Sequence, residues 1–205
     1  MEKNKRKLLG WTIGLLVLFF ALTGNVLLTG PLTVADEQIM QWVMSVRNSV
    51  LTDVFLFFTF MGSMSVIVYF GIVVLLVLSL FKQGRSMQFL FVSVVGAELL
   101  NRTLKIAIGR MRPDAMLSLT SSDGYAFPSG HAAAATTFYG ALLFIIWPWC
   151  QNRWQKNLAA FLVGMMIFLV GLSRIYLGVH WATDVVGGWL FGIMILLITL
   201  MLHKR

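Results

Sequence analysis

Charged residues are scarce in this chain. Of its 205 residues, 12% are Asp, Glu, Lys or Arg and 59% are hydrophobic, with a mean hydropathy of +0.84. A soluble domain has about 25% charged and about 45–50% apolar residues, so this composition excludes a soluble protein and indicates an integral membrane protein. The only cysteine, Cys150, excludes an intramolecular disulfide, and its neighbours Trp147, Pro148 and Trp149 favour a packing role.

Long apolar runs predict six transmembrane helices, because about 20 apolar residues cross the hydrocarbon core. The first run is longer than the apolar region of a signal peptide and is expected to be retained. Thr33 and Asp36 then resemble a capping box before an amphipathic surface helix. The predicted fold is therefore all-α, a bundle of six spans plus one surface helix, forming a single domain over residues 1–205. The expected spans are Leu8–Leu28, Ser63–Phe81, Met87–Lys105, His131–Trp149, Leu158–Arg174 and Trp181–Leu202.

Basic residues predict the orientation of the bundle. The formal net charge of +8 is distributed over both termini, the turns at 82–85 and 153–156, and three motifs. This distribution argues against a nucleic-acid partner. By the positive-inside rule, both termini and these turns lie on the cytoplasmic side. Residues 105–131 and 174–180 then meet at the extracytoplasmic face.

The first motif is KIAIGRMRP, residues 105–113. Lys105 and Arg112 lie seven residues apart, close to two helical turns, and supply an ammonium and a guanidinium that suit phosphate oxygens. A basic cluster beside lipid headgroups explains this motif equally well and also accounts for Arg110.

The second motif is PSGH, residues 128–131. Ser129 suits the N-cap of a helix, and Gly130 lets the backbone approach a ligand closely. The first N–H groups of such a helix form an anion site, with His131 beside it. An ordinary capped helix start with an interfacial histidine is an equally good interpretation.

The third motif is SRIYLGVHWATD, residues 173–184. Arg174 ends one span and His180 begins the next. His180 and Asp184 are four residues apart and share a helix face, so the carboxylate can accept a hydrogen bond from Nδ1 and leave Nε2 as a nucleophile. A helix-stabilising polar pair is the weaker alternative, because the aspartate opens a long apolar span.

Zinc is a competing interpretation of the same residues, since His131, His180 and Asp184 are ligand types. The neighbouring lysine and arginines would repel a divalent ion, and the chain has no further cluster of Cys, His or Glu. The sequence therefore predicts a site without a metal or other cofactor.

Together the three motifs resemble the signature of the type 2 phosphatidic acid phosphatase superfamily, K-x6-RP, PSGH and SR-x5-H-x3-D, complete and in family order. The resemblance implies that His180 attacks phosphorus and forms a phosphohistidine, with Asp184 orienting it and His131 as general acid. It also implies that a set of further residues binds the phosphoryl oxygens. These are Lys105, Arg112, Ser129, Gly130 and Arg174.

Two further charged residues lie near the motifs. Glu98 and Arg102 are four residues apart on the third span and predict either a mutual ion pair or, for Glu98, a contact with the lipid headgroup. Arg110 lies outside the minimal pattern and is expected to contact a second phosphate or a headgroup.

The expected function is hydrolysis of a lipid phosphomonoester in the bacterial cytoplasmic membrane. The size and the outward-facing site most resemble the phosphatidylglycerophosphatases of the B type, with conversion of phosphatidylglycerophosphate to phosphatidylglycerol. Undecaprenyl-diphosphate phosphatases of the same family are the alternative, and both interpretations expect a phospholipid or isoprenoid-lipid phosphate as substrate. Phosphoryl transfer to another acceptor and a lipid or anion transporter remain open. The sequence does not indicate an oligomeric state.

Overall fold

The computed structural model describes residues 2–203, with side chains from residue 6 onward. Over these residues it contains eight α-helices, two short 3₁₀ turns and no strand, which confirms the all-α prediction. Lys204, Arg205 and the side chains of Lys3 and Lys5, on which the orientation partly depended, lie outside the described part. The helices are α1 (Glu2–Leu27), α2 (Pro31–Ser45), α3 (Ser49–Met61), α4 (Met64–Leu80), α5 (Gly84–Ile108), α6 (Gly130–Ile146), α7 (Arg153–Tyr176) and α8 (Ala182–Leu202).

The prediction of six spans is not confirmed. By length and composition, four helices among the described residues can cross a membrane, in α1, α6, α7 and α8. A fifth span results if α3 and α4, which meet at a 49° bend, cross as one broken segment. Helix α5 was expected to span but is not among them, since Glu98, Arg102 and Lys105 make its second half polar.

Helix α2 does not have the predicted capping box. Its N-cap is Gly30, whose carbonyl accepts a 2.6 Å hydrogen bond from Thr33 Oγ1. The helix packs against α1, α7 and α8, and it buries Asp36 together with Met40 and Val43. A helix that only lies on the membrane surface is therefore not confirmed, because one face of α2 belongs to the bundle.

The bundle is organised around α6, which packs against α4, α5, α7 and α8. Small residues let α6 and α8 approach closely: a Cβ on Gly188 would lie 2.6 Å from the carbonyl oxygen of Ser129 and 2.8 Å from Ala132 Cβ. At this crossing the backbone N–H of Ser129 donates to the carbonyl of Asp184 at 2.9 Å. The starts of the two helices, which carry the second and third motifs, are thereby joined.

Helices α7 and α8 are connected by a tight turn at Gly178. Its φ is +74°, and a Cβ there would lie 2.4 Å from the carbonyl oxygen of Leu117. Only glycine accepts this backbone conformation without strain. The turn brings His180 back beside the end of α7, where Arg174 lies.

Candidate active site

The three motifs meet at one end of the bundle. Arg112, from the loop after α5, lies with its Nη1 3.2 Å from Nε2 of His180 and donates to the carbonyl of Val179 at 2.8 Å. The hydrogen bond between Ser129 and Asp184 joins the second motif to the third. Segments up to about 70 residues apart in sequence therefore form one site, as the charge distribution predicted.

His180 and Asp184 form the pair expected from their spacing. Nδ1 of His180 lies 3.3 Å from Oδ2 of Asp184, which also accepts a 2.9 Å hydrogen bond from the backbone N–H of Trp181. Both side chains are buried, with 2% and 0% of their surface exposed. The carboxylate fixes Nδ1 as the protonated nitrogen of a neutral imidazole and leaves the Nε2 lone pair next to Arg112.

Behind this pair lies a contact that sequence reasoning missed. Arg110 donates to Asp184 Oδ1, to Thr183 Oγ1 at 2.7 Å and to Asp36 Oδ2 at 2.7 Å. Oδ1 of Asp36 accepts the backbone N–H of Thr183 at 2.9 Å. The guanidinium of Arg110 thus bridges two buried carboxylates. This geometry does not support the expected contact of Arg110 with a second phosphate or a headgroup, because both terminal nitrogens of its guanidinium are engaged within the bundle.

No sequence pattern pointed to Asp36 as part of this network. It lies on α2, 148 residues before Asp184, and its position in the first turns of a helix suggested a cap. One argument could have pointed to it. A carboxylate in an amphipathic helix that packs into an apolar bundle needs a cationic partner, because burying an unpaired charge is costly.

The cations of the first motif also hold the loop that precedes α6. Arg112 donates from Nε to the carbonyl of Gly124 at 2.9 Å and from Nη2 to that of Asp123 at 2.8 Å. Lys105 Nζ donates to the carbonyl of Tyr125 at 2.7 Å. No carboxylate pairs with Lys105, Arg112 or Arg174 within the described residues, so their charge remains available to an anion.

Several buried donors at this end of the bundle have no hydrogen-bond partner among residues 2–203. They include Ser129 Oγ, which is at the N-cap position of α6 but makes no cap bond, and Nε of Arg174. The other end of the Arg174 guanidinium donates to Thr59 Oγ1. An unpaired buried donor is costly. Both residues belong to the motifs expected to bind phosphoryl oxygens.

A cavity of 240 Å³ opens beside His131 and the start of α6. Its walls come from α4, α5, α6 and the loop before α6, and they include Lys105, Gly130 and His131. His131 makes no side-chain hydrogen bond within the described part of the chain. Glu98 and Arg102 also line the cavity and form the ion pair that was one of the two predictions for them.

The electrostatics of the site favour a neutral His180 imidazole. Burial, followed by the positive charges of Arg174, Lys105, Arg112 and Arg110, lowers the pKa of His180 well below its ordinary value of 6.5. Burial also lowers the pKa of Arg112, although Asp184 and Asp123 partly oppose this. An imidazole in this surrounding is deprotonated at neutral pH, and the cations that keep it so also attract an anionic substrate.

Comparison with models of protein families identifies the family of the chain. The family model described as PAP2 superfamily matches residues 86–205, more than half of the chain. The chain belongs to the PAP2 superfamily. The resemblance drawn from the three motifs is thereby confirmed, and the chain is a multi-pass membrane member of this lipid phosphatase family.

The curated relatives of the chain are named for different lipid phosphate substrates. Phosphatidylglycerophosphatase B of Bacillus subtilis (strain 168) is 31% identical over 185 residues, covering 88% of this chain and 89% of the relative. The undecaprenyl-diphosphatase of Sulfolobus acidocaldarius is 32% identical, covering 60% and 59%. The lipid A 1-phosphatase of Rhizobium etli is 34% identical, covering 57% and 50%.

Two solved structures share the fold. The crystal structure of the transmembrane PAP2 type phosphatidylglycerolphosphate phosphatase from Bacillus subtilis has a TM-score of 0.85 and 27% identity, covering 92% of this chain and 93% of that one. The structure of Aquifex aeolicus LpxE has a TM-score of 0.64 and 26% identity, covering 80% and 93%.

The zinc interpretation finds no ligand cluster in the described part of the chain. Among the residues that the structure describes, no group of three His, Cys, Asp or Glu side chains is arranged to hold a metal ion. The third zinc ligand considered above, His131, borders the cavity, whereas Asp184 is committed to Arg110, His180 and the backbone of Trp181.

Proposed function

We propose that this PAP2 protein hydrolyses a lipid phosphomonoester through a phosphohistidine formed on His180. The observation that carries the proposal is the buried pair of His180 and Asp184, whose free Nε2 lies beside the guanidinium of Arg112. The proposed site comprises His180, His131 and Asp184. One membrane-embedded domain over residues 1–205 would contain it.

In the first step, Nε2 of His180 attacks phosphorus, the N–P bond forms and the P–O bond to the leaving group breaks. His131 donates a proton to the departing oxygen, so the lipid leaves as an alcohol or as a lipid phosphate. Asp184 stabilises the positive charge that develops on the His180 ring.

In the second step, water attacks the phosphohistidine. His131, now neutral, accepts a proton from that water, the N–P bond breaks, and its electron pair returns to Nε2 of His180. Inorganic phosphate leaves, and the site is restored.

The phosphoryl oxygens would be held by five residues that supply charge or hydrogen-bond donors at the start of α6 and around it. Preorganised donors of this kind stabilise the charge that spreads over the oxygens in the transition state. They are Lys105, Arg112, Ser129, Gly130 and Arg174. No metal is required in this proposal, because these cations supply the charge.

The proposed substrate is phosphatidylglycerophosphate, with phosphatidylglycerol as the product. This choice is supported by a relative named for that reaction, which is covered over 89% of its length. Undecaprenyl diphosphate is the second candidate, supported by the Sulfolobus relative. We place the protein in the cytoplasmic membrane of a bacterium, with both termini cytoplasmic and the site at the extracytoplasmic face.

The test uses the purified full-length protein in detergent with phosphatidylglycerophosphate, undecaprenyl diphosphate and phosphatidate. Phosphate release that persists in excess EDTA is expected. Loss of activity in EDTA with recovery on adding a divalent ion would contradict the metal-free mechanism.

Two companion measurements separate the other functions. Labelled phosphate recovered on a lipid or sugar instead of as free phosphate would indicate transfer. Lipid or anion flux across reconstituted vesicles without phosphate release would indicate a transporter.

A further inference from the structure

One face of α5 carries polar residues into the cavity beside His131. Glu98, Asn101, Arg102 and Lys105 recur at helical spacing, and all four line the cavity. Only Lys105 belongs to a PAP2 motif. The other three have no role in the proposed chemistry so far.

Asn101 has the same unusual feature as the phosphate-binding donors. Its side chain is 3% exposed, and its Nδ2 has no hydrogen-bond partner in the described part of the chain. The amide lies against the start of α6, with Oδ1 3.6 Å from where a Cβ on Gly130 would be. Ser129 Oγ and Arg174 Nε are unpaired in the same way. A buried donor costs stability unless a ligand completes its bond, so Asn101 is suited to a substrate oxygen.

The position of the cavity indicates which part of the substrate it takes. His131 lines it, whereas His180 is not among its lining residues. In the proposed reaction the nucleophile attacks in line with the bond that breaks. The His131 side of the phosphoryl group is therefore the side of the leaving group.

Arg102 carries a positive charge at this cavity. Its Nε donates to Glu98 Oε1, and its side chain is 70% exposed. Its two terminal nitrogens make no hydrogen bond to any described residue. A guanidinium oriented by a neighbouring carboxylate is well suited to bidentate binding of a phosphate.

We propose that Glu98, Asn101 and Arg102 form a leaving-group subsite that selects lipids whose leaving group carries a second phosphate. Asn101 donates to an oxygen next to the scissile P–O bond, Arg102 binds the second phosphate, and Glu98 orients Arg102. The inference rests on the proposed function. It names as substrates phosphatidylglycerophosphate and polyprenyl diphosphates, and it disfavours phosphatidate, whose leaving group is an uncharged alcohol.

Arg102→Gln tests the selection. Its kcat/KM for phosphatidylglycerophosphate and undecaprenyl diphosphate should fall about 10- to 100-fold, the usual range for one hydrogen-bonded charge contact, while its kcat/KM for phosphatidate stays within about twofold. Arg85→Gln, at the exposed far end of α5, is the matched control and should change neither. Equal losses on all substrates, or none, would overturn the subsite.

Asn101 is tested with an isosteric apolar variant and a smaller donor. Asn101→Leu should keep or raise the melting temperature, because it removes an unpaired buried donor, and should lower kcat on every lipid by about 10-fold or more. Asn101→Ser, which retains a hydroxyl donor, should recover part of the loss. Wild-type kcat in Asn101→Leu would overturn the role, as would a joint fall of melting temperature and kcat that Asn101→Ser does not relieve.

A binding measurement separates this inference from the proposed hydrolysis. Methylenediphosphonate, which is not hydrolysed, should raise the melting temperature of the wild type more than inorganic phosphate does. Arg102→Gln should remove that difference and leave the phosphate effect unchanged. If the wild type hydrolyses no lipid, the proposed function fails, and this comparison still decides the subsite: no difference between the two anions would overturn it.

Discussion

The two histidines of the site are held in very different ways. His180 has a neighbour at each ring nitrogen, Asp184 at Nδ1 and Arg112 at Nε2, and is 2% exposed. His131 borders the cavity and makes no side-chain hydrogen bond to the described residues. The contrast extends to their surroundings. Both oxygens of Asp184 have hydrogen-bond partners, whereas Asn101, which lines the cavity with His131, has an unpaired donor.

The difference corresponds to what each side has to do. A nucleophile gains from being fixed before the substrate arrives, because its orientation is then not lost as entropy in the reaction. In the proposed reaction, the side of the site that contains His131 meets the leaving group, which differs between the candidate lipids, so the substrate itself would complete the hydrogen bonds there. We infer that the protein fixes the side of the site around His180 before the substrate binds, whereas the lipid completes the contacts on the side around His131. These are called the fixed side and the open side below.

The largest expected effect separates the two histidines by leaving group. His180→Ala should lower kcat by at least about 10³-fold on any ester, because the nucleophile is lost. His131→Ala should lose about 10²- to 10⁴-fold on lipid esters. On p-nitrophenyl phosphate its loss should be much smaller, because that leaving group departs without a proton. The measurement is kcat for both variants on both esters.

The proposed difference between the two histidines would be contradicted if both variants regained kcat to the same extent, or neither did, on p-nitrophenyl phosphate. Equal recovery on p-nitrophenyl phosphate would mean that His180 is not the nucleophile. No recovery in His131→Ala would mean that His131 does not protonate the departing oxygen.

A smaller loss of kcat is expected from a change at Asp36, which lies behind Asp184 and contacts it through Arg110. Asp36→Asn leaves the charge of Arg110 to Asp184 alone, so this carboxylate stabilises the developing imidazolium less well. Weakening one such charge-assisted contact is expected to lower kcat about 10-fold with KM unchanged, because Asp36 does not touch the substrate. The measurement is the kcat and KM of the folded protein.

Glu37→Gln is the matched control, since Glu37 follows Asp36 on α2 but is exposed. A positioning role is contradicted if both variants have the same kcat. It is also contradicted if the loss in Asp36→Asn comes entirely from a smaller fraction of folded enzyme.

The sequence predicted the contacts among the motif residues better than the contacts between these residues and the rest of the bundle. The pair of His180 and Asp184 follows from four-residue helical spacing, and the meeting of the motifs follows from the charge bias of the turns. Arg110 and Asp36 were misinterpreted because their bond joins residues 74 positions apart. No local period encodes such a distance, so only the packing of α2 against the bundle brings them together.

The fold shows the same division. All-α architecture follows from composition, because a backbone in lipid must satisfy its own hydrogen bonds. The number of spans did not follow. Polar residues on α5 that line the cavity lower its hydropathy, and α3 and α4 bend at residues 62–63 instead of forming one straight run. The polar residues that line the cavity therefore obscure the membrane signal of α5.

The pH dependence sharpens the contrast at His180, the proposed nucleophile. Because burial and nearby cations lower the pKa of His180, the residue stays neutral and reactive as the pH falls, and it becomes protonated only well below pH 6.5. The charged and titratable groups around it are Lys105, Arg110, Arg112, Arg174, Asp184 and His131. Removing one cation should raise this pKa. Arg112→Gln is therefore expected to shift the acid limb of kcat/KM to higher pH.

The measurement compares wild type and Arg112→Gln on one substrate, so that ionisation of the substrate phosphate, near pH 6, is common to both. Arg85→Gln, distant from the site, should leave the limb in place. An acid limb that does not move, or that moves to lower pH, would contradict the electrostatic origin of the neutral His180.

The smallest effect is expected where the two halves of the site join. Gly188→Ala places a Cβ 2.6 Å from the carbonyl oxygen of Ser129, so the starts of α6 and α8 must separate slightly. Overpacking of this kind costs about 1–3 kcal/mol. The hydrogen bond from Ser129 to Asp184 lengthens, and Ser129 moves relative to His180. We expect a lower melting temperature together with a few-fold loss of kcat.

Gly164→Ala on α7 is the control for this last change. A Cβ there meets nothing within 4 Å, so alanine should leave activity unchanged and slightly stabilise the helix. If Gly188→Ala keeps wild-type kcat while its melting temperature falls, the activity does not depend on the spacing of α6 and α8 at this crossing. If both fall, the crossing of α6 and α8 sets the distance between Ser129 and His180 that the reaction requires, and the two sides of the site depend on each other.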